Sequence, residues 1–213
     1  MEKPGGWAEK STVFLIFPLI GPGFITIVAI LRRQGMKKCV FLVLLGLVWT
    51  VSVSLAAELK VGDKAPEFKL QDPTGKEYSL EDQRFKGKVL YIAYVDPDEK
   101  DTNNHVEDAL KKERESGGLD KTRYEGFGFA NLKATNLPNF IIKMLIKSKQ
   151  EKTGAVVLLD YDYTILNLWG LKNHSSEVVV LDKERICRYI YSGKLPAEEL
   201  AKMIQIIKEY QVK

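Results

Sequence analysis

Cysteine is scarce in this 213-residue chain, which holds two, Cys39 and Cys187. Cys39 lies in an apolar N-terminal leader, so a chain processed behind that leader keeps one thiol, and one thiol closes no internal disulfide. Cysteine pairing therefore says nothing about the redox compartment. Histidine is equally scarce: His105 and His174 stand far apart, and two imidazoles without sulfur beside them make a poor zinc site. No metal and no cofactor is expected. An excess of one charge is missing too. Of 32 Lys and Arg, six precede Ala57 (Lys3, Lys10, Arg32, Arg33, Lys37, Lys38), and of 28 Asp and Glu, two do (Glu2, Glu9). The formal +4 thus belongs to the leader, and the remainder is balanced. A balanced domain lacks the positive field that holds phosphate backbones, which argues against a nucleic-acid role. There is no internal repeat and no low-complexity tract.

What is present begins with two apolar runs. Met36 to Ala57 has the three parts of a secretory signal: Lys37 and Lys38, the apolar stretch Val40–Val53, then small residues at Ser54 and Ala56 that predict cleavage before Ala57. Cys39 stands at the start of that stretch rather than its end, so lipidation is not supported. Ahead of it, Val13–Leu31 is a second run of about 19 residues, interrupted by Pro18, Gly21, Pro22 and Gly23. Two readings stay open. Residues 1–35 are an extension from a misplaced start, or both runs insert as a hairpin whose basic loop Arg32–Lys38 stays cytoplasmic. Either way residues 57–213 are expected outside the inner membrane, in the periplasm, anchored if the leader is not cleaved. Membrane contact is expected only through the N-terminal apolar segments.

Residues 57–213 suffice for one core and not comfortably for two. Val61–Leu80 reads as an extended segment and a hairpin turning at Asp72-Pro-Thr-Gly75. Val89–Tyr94 is near-continuously apolar, as in a strand covered on both faces. A helix over about Thr102–Glu115, capped by Asp101 or Thr102, should follow, then a strand over Phe127–Leu132. Asn136-Leu-Pro138 opens a helix whose apolar residues are Phe140, Ile141, Met144 and Leu145, with Lys143, Lys147, Lys149 and Lys152 toward solvent. Ala155–Leu159 is the next strand, and a short helical turn spans Leu166–Leu171. Val178–Leu181 and Ile186–Tyr191 pair around Asp182–Arg185. A last helix starts at Pro196 with Leu200, Met203, Ile204 and Ile207 inward. The pattern gives an α/β sandwich with a mixed central sheet flanked by helices, preceded by the apolar leader.

Val61-Gly-Asp-Lys-Ala-Pro-Glu-Phe-Lys-Leu70, Gly75-Lys76 and Phe85-Lys-Gly-Lys-Val-Leu90 resemble the opening of the peroxiredoxin-like branch of the thioredoxin superfamily. Leu137-Pro-Asn-Phe140, Trp169-Gly-Leu171, Ser175–Lys183 and Ser192–Leu200 look like the YtfJ family of exported bacterial proteins. The resemblance implies a thioredoxin-like fold and periplasmic export, and it carries over no reaction. It also marks a departure. In reductases of the superfamily a Cys-x-x-Cys follows the first central strand, and those positions fall near Asp98 and Asp101. In peroxidases the Pro-x-x-x-Thr-x-x-Cys cysteine falls near His105, with Pro97 and Thr102 one residue too far apart. The facing cis-proline falls near Ser176. A thiol–disulfide or peroxide reaction needs a thiolate, which no carboxylate replaces.

The candidate surface is therefore a binding edge made of Asp96, Asp98, Asp101, His105, His174 and Ser176, taking an unidentified periplasmic protein or an extended peptide. Cys187 supports the alternative of a one-thiol redox protein working with an external thiol. In a strand it would share a face with Tyr189 and Tyr191, and Arg185 and Arg188 would lower its pKa if they curled over it. The acidic loop offers oxygen ligands of the kind Ca²⁺ accepts, without the alternation or central glycine of an EF-hand. A solvated, helix-capping acidic turn accounts for it.

Overall fold

The computed structural model describes residues 58–213. The expected segments 1–35 and 36–56, the cleavage site before Ala57, and Cys39 lie outside the described residues.

A small hairpin, β1 (Leu70–Gln71) and β2 (Glu77–Tyr78), precedes a five-stranded sheet. Its turn is closed by Asp72, whose Oδ1 accepts hydrogen bonds from the Thr74 amide at 2.8 Å and the Lys76 amide at 3.1 Å. The sheet is built on β3 (Val89–Val95), followed by α1 (Asn104–Glu115), β4 (Tyr124–Asn131), α2 (Asn139–Thr153) and β5 (Val156–Asp160). Then come α3 (Thr164–Trp169), β6 (Ser176–Leu181), β7 (Cys187–Ser192) and α4 (Ala197–Val212). Spatial order is β5-β4-β3-β6-β7. The pairs β3–β4 and β4–β5 are parallel, whereas β6 runs antiparallel to β3 and to β7, so the sheet is mixed.

Alternation along β3 explains its unbroken apolar run. Leu90, Ile92 and Tyr94 face one layer, Val89 and Tyr91 the other, and both layers are dry. The first layer is aromatic: Phe85 stacks on Phe127 at 4.5 Å between centroids, and Phe68 meets Phe129 edge-on at 5.0 Å. Trp169 is fully buried there and donates its indole N–H to the Pro66 carbonyl at 3.0 Å. The second layer is filled by Val106 and Leu110 of α1 and by Met203 and Ile207 of α4, with Leu200 and Ile204 half-buried as the inward stripe predicts.

Arg185 ties the opening segment to the β6–β7 turn. It holds a left-handed backbone (φ 69°), and its buried guanidinium donates to the carbonyls of Leu80, Phe85 and Lys88.

Three expectations change. The first concerns Cys187, which does not share a face with Tyr189. A bulge shifts the β6–β7 register between Val180 and Leu181, so Tyr189 lies in the second layer and Cys187 in the aromatic one. The second concerns α2. Phe140, Met144 and Leu145 are exposed, and the residues that pack on the sheet are Ile142 and Ile146. Its apolar residues run all round the helix, so hydrophobicity alone does not tell the buried face from the free one. The third is the cap of α1. Neither Asp101 nor Thr102 caps it: the residue at that position is Asn103, and its side chain is engaged elsewhere.

Candidate functional site

Parallel strands bring their carboxyl ends to one edge of the sheet, the edge where open α/β sheets take ligands. Here that edge is polar and buried. Asp96 follows β3, Asn131 ends β4 and Asp160 ends β5, all three out of solvent. Strand β6 enters at the same edge, because antiparallel pairing sets Ser176 opposite Val95.

Asp160 is fully employed. Its carboxylate accepts the Thr164 amide at 2.7 Å, the Ile165 amide at 2.9 Å and the Tyr94 hydroxyl at 3.2 Å, holding the first turn of α3. Burial and the Asp160 charge push the Tyr94 phenol well above its ordinary range.

Asp96 is less satisfied. Its Oδ1 accepts from Asn131 Nδ2 at 2.7 Å, and the same nitrogen donates to Asn173 Oδ1 at 3.2 Å. Asp96 Oδ2 lies 3.8 Å from His174 Nδ1, and neither it nor Asn131 Oδ1 finds a hydrogen-bond partner. Burial raises the Asp96 pKa, opposed by the Asn131 bond, the His174 and Ser175 amides and the imidazole. His174 itself is strained (φ 53°), with 73% of its side chain exposed above the carboxylate.

Asn103 fastens the loop beyond Asp96. Its Nδ2 donates to Ser176 Oγ at 2.9 Å and to the Gly193 carbonyl at 3.0 Å, and its Oδ1 accepts the Leu195 amide at 2.9 Å. His105 Nε2 lies 2.8 Å from the Leu195 carbonyl. Behind Ser176, the buried Glu177 accepts from Ser192 Oγ at 2.6 Å, and burial raises its pKa. Glu177 also lines a cleft of about 320 Å³ with Lys172, Ile190, Tyr191 and Ser192.

The structure thus brings Asp96 to His174 and, through Asn103, ties in Ser176. His105 is turned to the Leu195 loop. Asp98 and Asp101 lie on the outside, Asp101 accepting from Asn104 at 3.1 Å. Asn131 and Glu177 escaped the sequence reading, and Asn103 entered it only as one more oxygen ligand of the acidic loop. Asn131 carried one signal, a polar residue next to the end of an expected central strand.

No sulfur reaches this edge among the described residues, and no peptide bond there is cis. Cys187 is fully buried, its Sγ 3.5 Å from the Tyr189 carbonyl, and burial pushes its thiol up to about 11. Neither arginine curls over it, as Arg185 binds carbonyls and Arg188 pairs with Asp182 at 2.7 Å. Among the described residues no group of three or more His, Cys, Asp or Glu is placed to hold a metal ion.

The family described as bacterial protein of unknown function (YtfJ_HI0045) matches residues 49–210. The chain belongs to the YtfJ family. A Haemophilus influenzae protein, described as uncharacterized, is 33% identical over 61 residues, which make up 29% of this chain and a third of that relative. Among solved structures, a candidate protein disulfide isomerase from Bacteroides thetaiotaomicron superposes with TM-score 0.53 at 20% identity, over 73% of this chain and 92% of that one. A chain described as a candidate thiol:disulfide interchange protein, DsbE, from Chlorobium tepidum gives 0.52 at 21% identity, over 72% and 99%. At such identities the likeness shows the fold, and this YtfJ-family domain is thioredoxin-like.

Proposed function

We propose that this YtfJ-family protein is an exported, non-catalytic binding protein, and that its ligand, an extended peptide or a periplasmic protein, docks at the edge formed by Asp96–His105 and His174–Ser176. The observation that carries this reading is the make-up of that edge: among the described residues no cysteine reaches it, and a carboxylate and amides (Asp96, Asn131, Asn173) meet there instead. Burial of Cys187 favours it over the one-thiol alternative, because a thiol held at about 11 supplies almost no thiolate near neutral pH. Export is supported by the signal-like Met36–Ala57 segment. Among the described residues no helix is long and apolar enough to cross a membrane.

The test has two arms. Expression of the full chain in a Gram-negative host, followed by fractionation and N-terminal sequencing, should place the domain in the envelope, and recovery from the cytosol would refute export. Screening the full chain against a library of extended peptides should yield ligands that bind about tenfold more weakly to Asp98→Ala and His174→Ala, both exposed positions. Affinities unchanged in both variants would move the binding surface elsewhere.

A further inference from the structure

Helix α2 presents an apolar arc that nothing in the described residues covers. Phe140 is 71% exposed, Met144 62% and Leu145 58%, and Leu137, just ahead of the helix, is 45% exposed. At about 100° per residue, Phe140, Met144, the half-buried Ile141 and Leu145 share one side of the helix. Lys143 and Lys147 border that side on one flank and Lys149 on the other, while Glu151 and Lys152 fall within its sweep in the last turn of the helix. Residues 133–153 hold five lysines and one carboxylate, Glu151, within a domain that is balanced as a whole. Lys149 is engaged by Glu107 at 3.3 Å, whereas Lys147 and Lys152 pair with no carboxylate among the described residues. Two lysines stand over tyrosine rings: Lys143 lies 5.4 Å from that of Tyr161, whose hydroxyl is buried, and Lys133 5.3 Å from that of Tyr163.

We propose that this face of α2 rests on an anionic phospholipid surface, with Phe140, Met144 and Leu145 in the acyl boundary and the lysines at the phosphates. Three features favour a bilayer over other occupants. The arc is flanked by lysine on both sides, so long lysine stems can follow the apolar residues down while their ammonium groups stay at headgroup level. Two copies of the chain facing each other here would oppose like charges. Lysine beside exposed Phe and Leu is the composition of a helix that lies in a membrane interface. The contact uses none of the residues proposed for the ligand edge, and it lies beyond any membrane contact made by the two apolar runs ahead of residue 57.

The experiment uses the full chain with Cys39→Ser, reconstituted into lipid nanodiscs. An environment-sensitive fluorophore is attached at Ser148→Cys, within the arc, or at Lys121→Cys, on an exposed loop. In discs containing phosphatidylglycerol the label at 148 should shift to the blue and resist aqueous iodide, while the label at 121 stays water-like. The shift should fall by more than half in pure phosphatidylcholine, at high salt, and in Lys143→Glu/Lys147→Glu. Phe140→Ser/Met144→Ser, at exposed positions that the fold does not need, should abolish it. A water-like label at 148 in anionic discs overturns the proposal. An equal shift in phosphatidylcholine also overturns it, assigning the face to the apolar leader. A shift that appears only when soluble protein extract is added overturns it in favour of a protein partner.

Discussion

Asp96 and Asn131 close the carboxyl ends of adjacent parallel strands on one another, Asn131 Nδ2 donating to Asp96 Oδ1 at 2.7 Å. With His174 Nδ1 3.8 Å from the other oxygen, the pair makes a buried polar lock at the edge where open α/β sheets take ligands.

That lock is pH-sensitive, and its sign follows from burial. The Asp96 pKa is raised in the folded state, so the native protein holds this proton more tightly than the unfolded chain. The contribution is fully present below the ordinary carboxylate pKa and is lost as pH rises through the raised one. Asp96→Asn should remove this loss and be more stable than the parent by about 1 kcal/mol at neutral pH. Urea melts of both proteins across the acid limb check it, and parallel pH profiles would refute it.

Arg185 is expected to be the least replaceable charge. Its guanidinium serves the carbonyls of Leu80, Phe85 and Lys88 from a buried position. Arg185→Met should cost about 3 kcal/mol or more, because three acceptors lose their donor in a dry site. Arg185→Lys should recover only part, since an ammonium lacks the planar fork. Denaturant midpoints at constant slope measure both.

Gly170 is needed twice over. It holds φ +63°, and a Cβ there would stand 2.6 Å from the Glu58 Cα. Gly170→Ala should destabilise by about 2 kcal/mol and loosen the Leu59 amide, which donates to the Trp169 carbonyl at 2.8 Å. Faster hydrogen exchange at Leu59 would register that loosening, and unchanged exchange would count against it.

Cys187 should resist alkylation in the native protein and react promptly in denaturant, given full burial and a thiol near 11. Cys187→Ala should fold with a loss of about 1–2 kcal/mol from the small void it leaves in the aromatic layer.

The strands and helices were largely legible in the sequence because β3, β5 and β6 carry unbroken apolar runs between turn residues, as Val89–Tyr94 does. Two features were not legible. The α2 surface defeats periodicity, since Phe140 and Ile142 differ in burial and hardly in hydrophobicity. The face of Cys187 depends on a bulge, and inserting one residue inverts the alternation that a period-2 reading assumes. At the site, Asp96 and His174 were readable from their place after a strand and before another. Asn131 and Asn103 act through tertiary contacts across 35 and 73 residues, to Asp96 and Ser176, which no local pattern encodes.

The most direct measurement compares the full-length wild type with Cys187→Ser in insulin disulfide reduction and hydroperoxide consumption. A binding protein that has lost sulfur chemistry should show the same background rate in both assays for both proteins. Turnover well above background in the wild type, abolished by Cys187→Ser, would contradict the account.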